Sequence, residues 1–383
     1  MNAPISLAGS RWTQRPPDQR HASVAALLDR AQARKACGET RPIAVADLRA
    51  APSGDGGIAL HAGGETLLPT PFAAAQLSRW VGLPPKAVQV LSPALGAAAL
   101  NERIAVTVAQ GEHRPWKALV EPSGSGAIRL RALNSPHYAR AWDADLIERL
   151  LLALLDEGWA PATASGLMGA RQAGLFSSDR DLFCFLVHPG EAHRLRAPHG
   201  RPMQRGLIVR NSEVGGVALR LRAFWFDSFC TNHMIFGAVG ALDLSVAHRR
   251  GERSPLDRLT EAWGEAGGTA SLARDTEVAR AVAERAQDTL LARWSPVPRD
   301  TLRDTVESFS ERARRARVRR RFTTRLLREG AALAVRLADP QGPGVSLWSM
   351  ACGVTEAVQS ATPHQDVRLG VDAAVGRLLQ VAA

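Results

Sequence analysis

From Val217 to Phe226 the chain alternates residue by residue. Leu219, Leu221, Ala223 and Trp225 fall on one side of an extended backbone, and Arg220, Arg222, Phe224 and Phe226 on the other. A period of two cannot be laid on a helix face and specifies a strand. The first side is a core face; the second joins cations to aromatics and reads in two ways. Guanidinium groups contact phosphates and flat rings stack on unpaired bases, at ~1–3 kcal/mol per stacked base. A half-buried strand, with its phenylalanines under a helix and its arginines reaching out to water, accounts for the same pattern. The preceding Asn211-Ser-Glu-Val-Gly-Gly216 is turn chemistry, because Asn and Gly tolerate positive φ and Ser212 bonds local backbone. Its backbone N–H groups would equally cradle an anion.

The segments around this strand alternate in type. Residues 1–64 read as a weakly ordered lead-in, with a short helix over Ser23–Ala36 and a loop at Pro52-Ser-Gly-Asp-Gly-Gly57. Phe72, Gln76, Leu77, Trp80 and Val81 lie near helical spacing, and Gly82 with Pro84-Pro85 separates them from a second short helix at Lys86–Leu91. That is a helical hairpin packed on the core; the double proline argues against a DNA-reading helix-turn-helix. Ile104–Val108 and Trp116–Val120 predict strands, the latter running into the turn Pro122–Gly126. Leu146, Ile147, Leu150, Leu151, Leu154 and Leu155 make one apolar helix face, with Asp143 or Asp145 available as its cap. Strands return at Ala173–Phe176, Leu182–Val187, Gly206–Arg210 and Val217–Ile235. After Pro255 the periodicity is helical: Arg274–Trp294, Arg299–Leu337 and Leu347–Leu379. The expected fold is α+β, an antiparallel β-rich centre with a helical C-terminal third. Its expected divisions are 1–64, an α+β core over 65–260, and a helical region over 261–383 packed on that core.

No stretch of the 383 residues reaches the ~18 consecutive apolar positions of a membrane helix, so no membrane partner is expected. Met1–Arg20 has no apolar core and is not read as a secretory signal. Cys37, Cys184, Cys230 and Cys352 lie far apart with no CxxC pair, which suits reduced thiols and a cytoplasmic setting. There is no Walker loop and no GxGxxG after a strand, and no cofactor is expected. Cys184, His188, Cys230 and His233 match no standard zinc spacing, so no metal is assigned. His193 and His199 sit in a basic Pro/Gly-rich connection. Without a GxSxG elbow or an HExxH pair, only Glu356 and His364, eight residues apart on a helix, offer acid–base chemistry. The reading therefore leans away from an enzyme.

The formal charge is +11, and such a charge attracts polyanions by counterion release. Nearly all cations are arginine, a composition that also follows from a GC-rich coding sequence, so placement carries more weight than number. Nine arginines fall between Arg312 and Arg328 with no acid among them. On one continuous helix Arg314, Arg317, Arg321, Arg325 and Arg328 form a stripe beside Val318, Phe322 and Leu326. Like charges so spaced repel by a few tenths of a kcal/mol per pair, so the stripe calls for an anionic partner. Asp304, Glu307, Glu311 and Glu329 are the nearest acids that would neutralise it.

Gly206-Leu-Ile-Val-Arg-Asn-Ser-Glu-Val-Gly-Gly-Val-Ala-Leu-Arg-Leu-Arg222, followed by Phe229-Cys-Thr-Asn232, resembles a phage/plasmid-like family of unknown function carried on mobile elements. Thr70–Leu77 with Gly82-Leu-Pro84, Arg131–Tyr138 with the Asp145–Leu155 helix, and Trp348 with Thr355, Glu356 and His364 fit its outline in order. The chain has His233 where the family pattern commonly carries glycine. The resemblance implies a mobile-element setting and, by analogy of gene context, work on single-stranded DNA in recombination or replication.

These readings converge on a non-enzymatic nucleic-acid-binding protein, with single-stranded DNA favoured. The expected contact residues are Arg210, Asn211, Arg220, Arg222, Phe224 and Phe226 on the strand, and Arg314, Arg317, Arg321, Arg325 and Arg328 on the helix. The alternative is a structural or anti-defence protein that meets an acidic protein partner; a homo-oligomer is compatible with either.

Overall fold

A computed structural model describes residues 4–5, 15–111, 114–124, 126–165, 171–190, 194–196, 202–227, 235–236, 242–274, 276–338, 342–361 and 365–381. The fold is α+β, as expected. Helix α1 (Val24–Cys37) starts where Ser23 accepts the Ala26 N–H and buries Val24, Leu27 and Ala31 along one stripe. Strands β1 (Glu39–Ala44), β2 (Arg49–Pro52), β3 (Ile58–Ala62) and β4 (Glu65–Pro69) follow. So the stretch expected as a weakly ordered lead-in is structured from α1 onward. Helices α2 (Pro71–Trp80), α3 (Pro85–Val90) and α4 (Pro93–Ala109) then precede β5 (Pro115–Pro122) and β6 (Ile128–Asn134).

The six strands form one sheet in the order β1-β5-β6-β4-β3-β2, antiparallel except for the parallel pair β4 and β6. Leu60, Leu67, Leu77, Leu100, Ile104 and Leu130 share its core. Ile104–Val108, expected as a strand, is the end of α4. Ser92 caps that helix with Pro93 at its first position, and Ala97, Leu100 and Ile104 recur at helical spacing on its buried side. The longer 3.6-residue period outweighs the local β-branched run.

Asp143–Leu146, Ile147–Leu151 and Leu152–Asp156 run on as one helical segment, α5, whose middle turn is wound as π-helix. Its N-cap is Trp142 and no side chain caps it; Asp143 is turned inward instead. The second sheet is antiparallel throughout. Its spine is β8 (Leu175–Ser177), β9 (Leu182–His188), β11 (Pro202–Asn211), β12 (Leu219–Asp227) and β13 (Ile235–Phe236). Alongside, β7 (Ala160–Pro161) pairs with β9, β10 (Arg194–Arg196) with β11, and β14 (Asp243–Val246) with β12.

The alternation of β12 holds residue by residue, and both of its faces are covered. Leu219, Leu221 and Ala223 join Leu186, Leu207, Leu27, Leu150 and Leu154 in one core. On the other face Phe224 packs with Phe176, Phe183, Phe185 and Ile208 in a second.

After α6 (Pro255–Glu265), α7 (Gly268–Arg274) and α8 (Thr276–Asp288), a two-stranded ribbon of β15 (Leu290–Arg293) and β16 (Gly344–Ser346) brackets α9 (Pro298–Arg315) and α10 (Thr324–Leu337). Helices α11 (Leu347–Ala361) and α12 (Gln365–Val381) complete the described chain. Helices α10 and α11 cross at glycine: a Cβ on Gly353 would stand 2.1 Å from the Gly330 carbonyl oxygen, so only a bare backbone permits this approach. The helical cluster includes Met203 and Trp225 from the second sheet, so it is packed on the β-rich centre.

Candidate nucleic-acid interface

The strand residues expected to meet nucleic acid are mostly engaged inside the protein. Phe224 is 1 % exposed, and its ring lies 5.2 Å from that of Phe185 at an interplanar angle of 21°. It also covers Gly206, its partner across the ladder. A ring held there cannot stack on a base without opening the core. Arg220 is bidentate to Asp243 of β14, Nε to Oδ1 at 2.6 Å and Nη2 to Oδ2 at 2.5 Å. Arg222 lies 3.9 Å from the same carboxylate. Burial lowers the Arg222 pKa, while Asp243 and Asp372 of α12 pull it back up. Arg210 is buried beside Asp181; although burial raises that carboxyl, Arg15, Ser178 and Arg210 hold it below its usual range. The Phe226 side chain lies outside the described residues, as do Cys230, His233, His193, His199 and His364.

Asn211 belongs to a buried polar joint between the two sheets. Its Nδ2 donates to the Ala141 carbonyl at 2.8 Å and to Asp143 Oδ1 at 2.7 Å. The turn that follows is held from all sides. Arg131 of β6 donates to Glu213 Oε2 at 2.9 Å, and the Asp143 N–H donates to Glu213 Oε1. Asn134 and Gln76 both donate to the Val214 carbonyl, Tyr138 donates to the Ser212 carbonyl, and Arg140 to the Glu213 carbonyl. The Ser212 hydroxyl donates to the Arg180 carbonyl and accepts the Gly216 N–H. The 211–216 turn is thus a keystone for the fold, and its polar groups are directed at the protein. Burial, and then the Glu213 carboxylate, push the Asp143 carboxyl upward. Burial brings His248 down to about 4, beside the Tyr138 ring that it stacks on at 5.3 Å.

The arginine run is rearranged rather than buried. It is not one helix: α9 ends at Arg315, Arg319–Arg321 form a 3-10 turn, and α10 begins at Thr324. The Arg317 N–H bonds to the Arg314 carbonyl and the Val318 N–H to the Ala313 carbonyl. This paired closure of a helix end normally places glycine at its left-handed position. Here that position is Arg317, at φ 56°, the single non-glycine with positive φ among the described residues.

The packing reason for the break is visible in two rings. Phe309 and Phe322 meet edge-on at 5.4 Å. On an uninterrupted helix, thirteen residues at about 100° each would leave them roughly 140° apart around the axis. The turn brings Val318 and Phe322 into the same core as Phe309 and leaves the arginines outside. Phe322-Thr323 before Leu326-Leu327 is the sequence signal for the restart, since the Thr323 hydroxyl accepts the Leu326 N–H.

The product is an exposed basic corner. Arg314 and Arg315 share Glu311 at 3.2 and 3.1 Å, and Arg325 pairs with Glu329 at 2.7 Å. Arg317, Arg320, Arg321 and Arg328 are exposed and have no ion pair among the described residues. The hydrophobic residues of the corner, Val318, Phe322 and Leu326, are buried.

The remaining candidates do not assemble. The Cys184 thiol is fully buried and burial pushes it up; His188 Nε2 lies 3.2 Å from the Glu157 carbonyl oxygen. Among the described residues no three His, Cys, Asp or Glu side chains converge to hold a metal, and no helix is long and apolar enough to cross a membrane. Glu356 is half-buried on α11, and burial raises its carboxyl. No family model, curated protein or solved structure matches the chain.

Proposed function

We propose that the protein is a non-enzymatic nucleic-acid-binding protein that contacts the phosphate backbone through the corner between α9 and α10. The observation that carries this reading is Arg317. A residue that would stabilise the turn better as glycine is instead a cation, and it stands with three other arginines lacking carboxylate partners among the described residues. Local strain of about 1 kcal/mol is retained where the side chain has work other than stabilising the fold. Exposed, clustered guanidinium groups suit phosphate, which they contact in bidentate fashion.

With Phe224 inside the core, base stacking by that ring is withdrawn from the reading. What remains is charge-driven contact, whether the strand is single or paired. The mobile-element setting, and a part in recombination or replication, follow from the resemblance at Gly206–Asn232 and are proposed on that ground.

Fluorescence anisotropy of labelled oligonucleotides against salt tests this. Four phosphate contacts predict a slope of log K on log salt of about −3.6 for duplex and about −2.8 for single strands. Replacing Arg317, Arg320, Arg321 and Arg328 by alanine should flatten that slope to near zero. Absence of binding at low salt, or a slope unchanged in the quadruple variant, refutes the proposal. An acidic protein captured by the native chain and lost by the variant would point to the interaction-protein alternative.

A further inference from the structure

A second basic feature lies far along the sequence from the corner, in a cavity of about 490 Å³ between α1 and β6. Its size falls within the range of small-molecule sites. Two arginines of α1, Arg30 and Arg34, face two of β6, Arg129 and Arg131, across this space. Arg30 and Arg129 are exposed at the rim, whereas Arg131 is 1 % exposed. Three carboxylates, Asp18, Glu121 and Asp179, share the lining with Ser177 and Ser178, and no aromatic ring does.

Arg129 pairs with Glu121 at 3.1 Å and with Asp179 at 3.6 Å, whereas the other three cations are incompletely neutralised. Arg131 gives Nη2 to Glu213 and has Nε 3.6 Å from Glu121, but its Nη1 has no hydrogen-bond partner among the described residues. A buried charged donor left without a hydrogen-bond partner is costly and is relieved by an oxyanion. Arg34 gives Nη1 to the Ser178 carbonyl at 2.6 Å and stands 3.9 Å from Asp143. Burial lowers its pKa, and the neighbouring Arg131 guanidinium lowers it further. Arg30 has no ion pair among the described residues. Crowded guanidinium groups of this kind bind an oxyanion through charge-assisted hydrogen bonds. The carboxylates and serines around them supply acceptors suited to hydroxyl groups, and the lack of a ring leaves no platform for a base.

We propose that this cavity is a binding site for a small phosphorylated sugar or polyol, its phosphate on the arginines and its hydroxyls on Asp18, Glu121 and Asp179. The site is independent of the basic corner and of the nucleic-acid reading.

Isothermal titration of the full chain with ribose 5-phosphate tests this, with ribose and inorganic phosphate as controls at equal ionic strength. Ribose 5-phosphate is expected to bind one-to-one and about tenfold more tightly than inorganic phosphate, with no binding of ribose. Arg30→Ala/Arg129→Ala should raise its Kd by about tenfold. Both positions are exposed; should the pair still fail to fold, Arg30→Gln alone should raise the Kd by several-fold. A Kd equal to that of inorganic phosphate, or one unmoved by these substitutions, overturns the proposal. So does a Kd lost in the Arg317/Arg320/Arg321/Arg328 quadruple variant, because that would put the ligand on the corner. Oligonucleotide binding lost in that variant while sugar-phosphate binding persists separates the two sites.

Discussion

Gly206→Ala tests whether Phe224 is a core residue or a nucleic-acid contact. Gly206 lies in β11 opposite Phe224, and a Cβ there would stand 2.2, 2.5 and 2.8 Å from three carbons of the ring. Ordinary carbon contacts lie at ~3.5–4.0 Å, so the ring tip must withdraw by roughly 1.5 Å. The ring is 1 % exposed and stacked on Phe185, itself 2 % exposed, so the close-packed core resists that movement. Overpacking of this kind costs ~3 kcal/mol. Gly206 does not have positive φ, so alanine adopts its backbone freely. The loss of glycine's unfolded-state freedom returns ~0.4–1 kcal/mol. The net expectation is a loss of about 2 kcal/mol, read as a lower urea midpoint at unchanged m-value.

Phe224→Ala alone should cost ~3–5 kcal/mol by opening a cavity. In the double variant the new methyl enters the vacated space, and the pair should be about 2 kcal/mol more stable than the sum of the single changes. A Gly206→Ala midpoint equal to the native one, or additive costs, refutes this packing. If Phe224 were instead a stacking platform, Phe224→Ala would leave stability within about 0.5 kcal/mol and weaken oligonucleotide binding by ~1–3 kcal/mol.

Arg317→Gly should stabilise the chain by about 1 kcal/mol, because glycine is at ease in the left-handed position. It should also weaken oligonucleotide binding at low salt; urea unfolding and anisotropy on one sample check both. His248, held near 4 in the fold, resists a proton that the unfolded chain accepts at about 6.5. Its stabilising contribution is therefore present above pH ~6.5 and lost as pH falls toward 4, by up to roughly 3 kcal/mol. Asp143 acts with the opposite sign, so the difference between native chain and His248→Gln is the quantity to measure by urea midpoint at pH 4.5 and 7.5. Glu213→Ala leaves Arg131 buried without its closest carboxylate and should cost ~3–5 kcal/mol, seen as loss of the cooperative unfolding transition at 37 °C or a much lower midpoint.

Much of the local structure was legible in the sequence. The period of two at Val217–Phe226 determines a strand and assigns each side chain to a face, because side-chain direction depends on backbone geometry alone. Ser23 before Val24 and the proline pair before Lys86 mark real helix starts for equally local reasons. The α+β class follows from the order of such segments.

What covers each face is not a local property. Whether Phe224 meets a base or Phe185, and whether Arg220 meets a phosphate or Asp243, depended on residues 39 and 23 positions away closing over them. The arginine run shows the same limit. Its residues favour one helix, and only the need to bring Phe309 and Phe322 into one core breaks it at Arg317. The six-stranded sheet draws β2 and β3 beside β4 from a stretch with weak signals of its own. The cavity between α1 and β6 joins Arg30 to Arg129 across about a hundred residues, a neighbourhood that exists only once the two sheets have locked around Glu213. The alternation in β12 thus determined a strand and its faces; the tertiary structure decided that its arginines and phenylalanine hold the fold together and that the exposed, unpaired charge lies elsewhere.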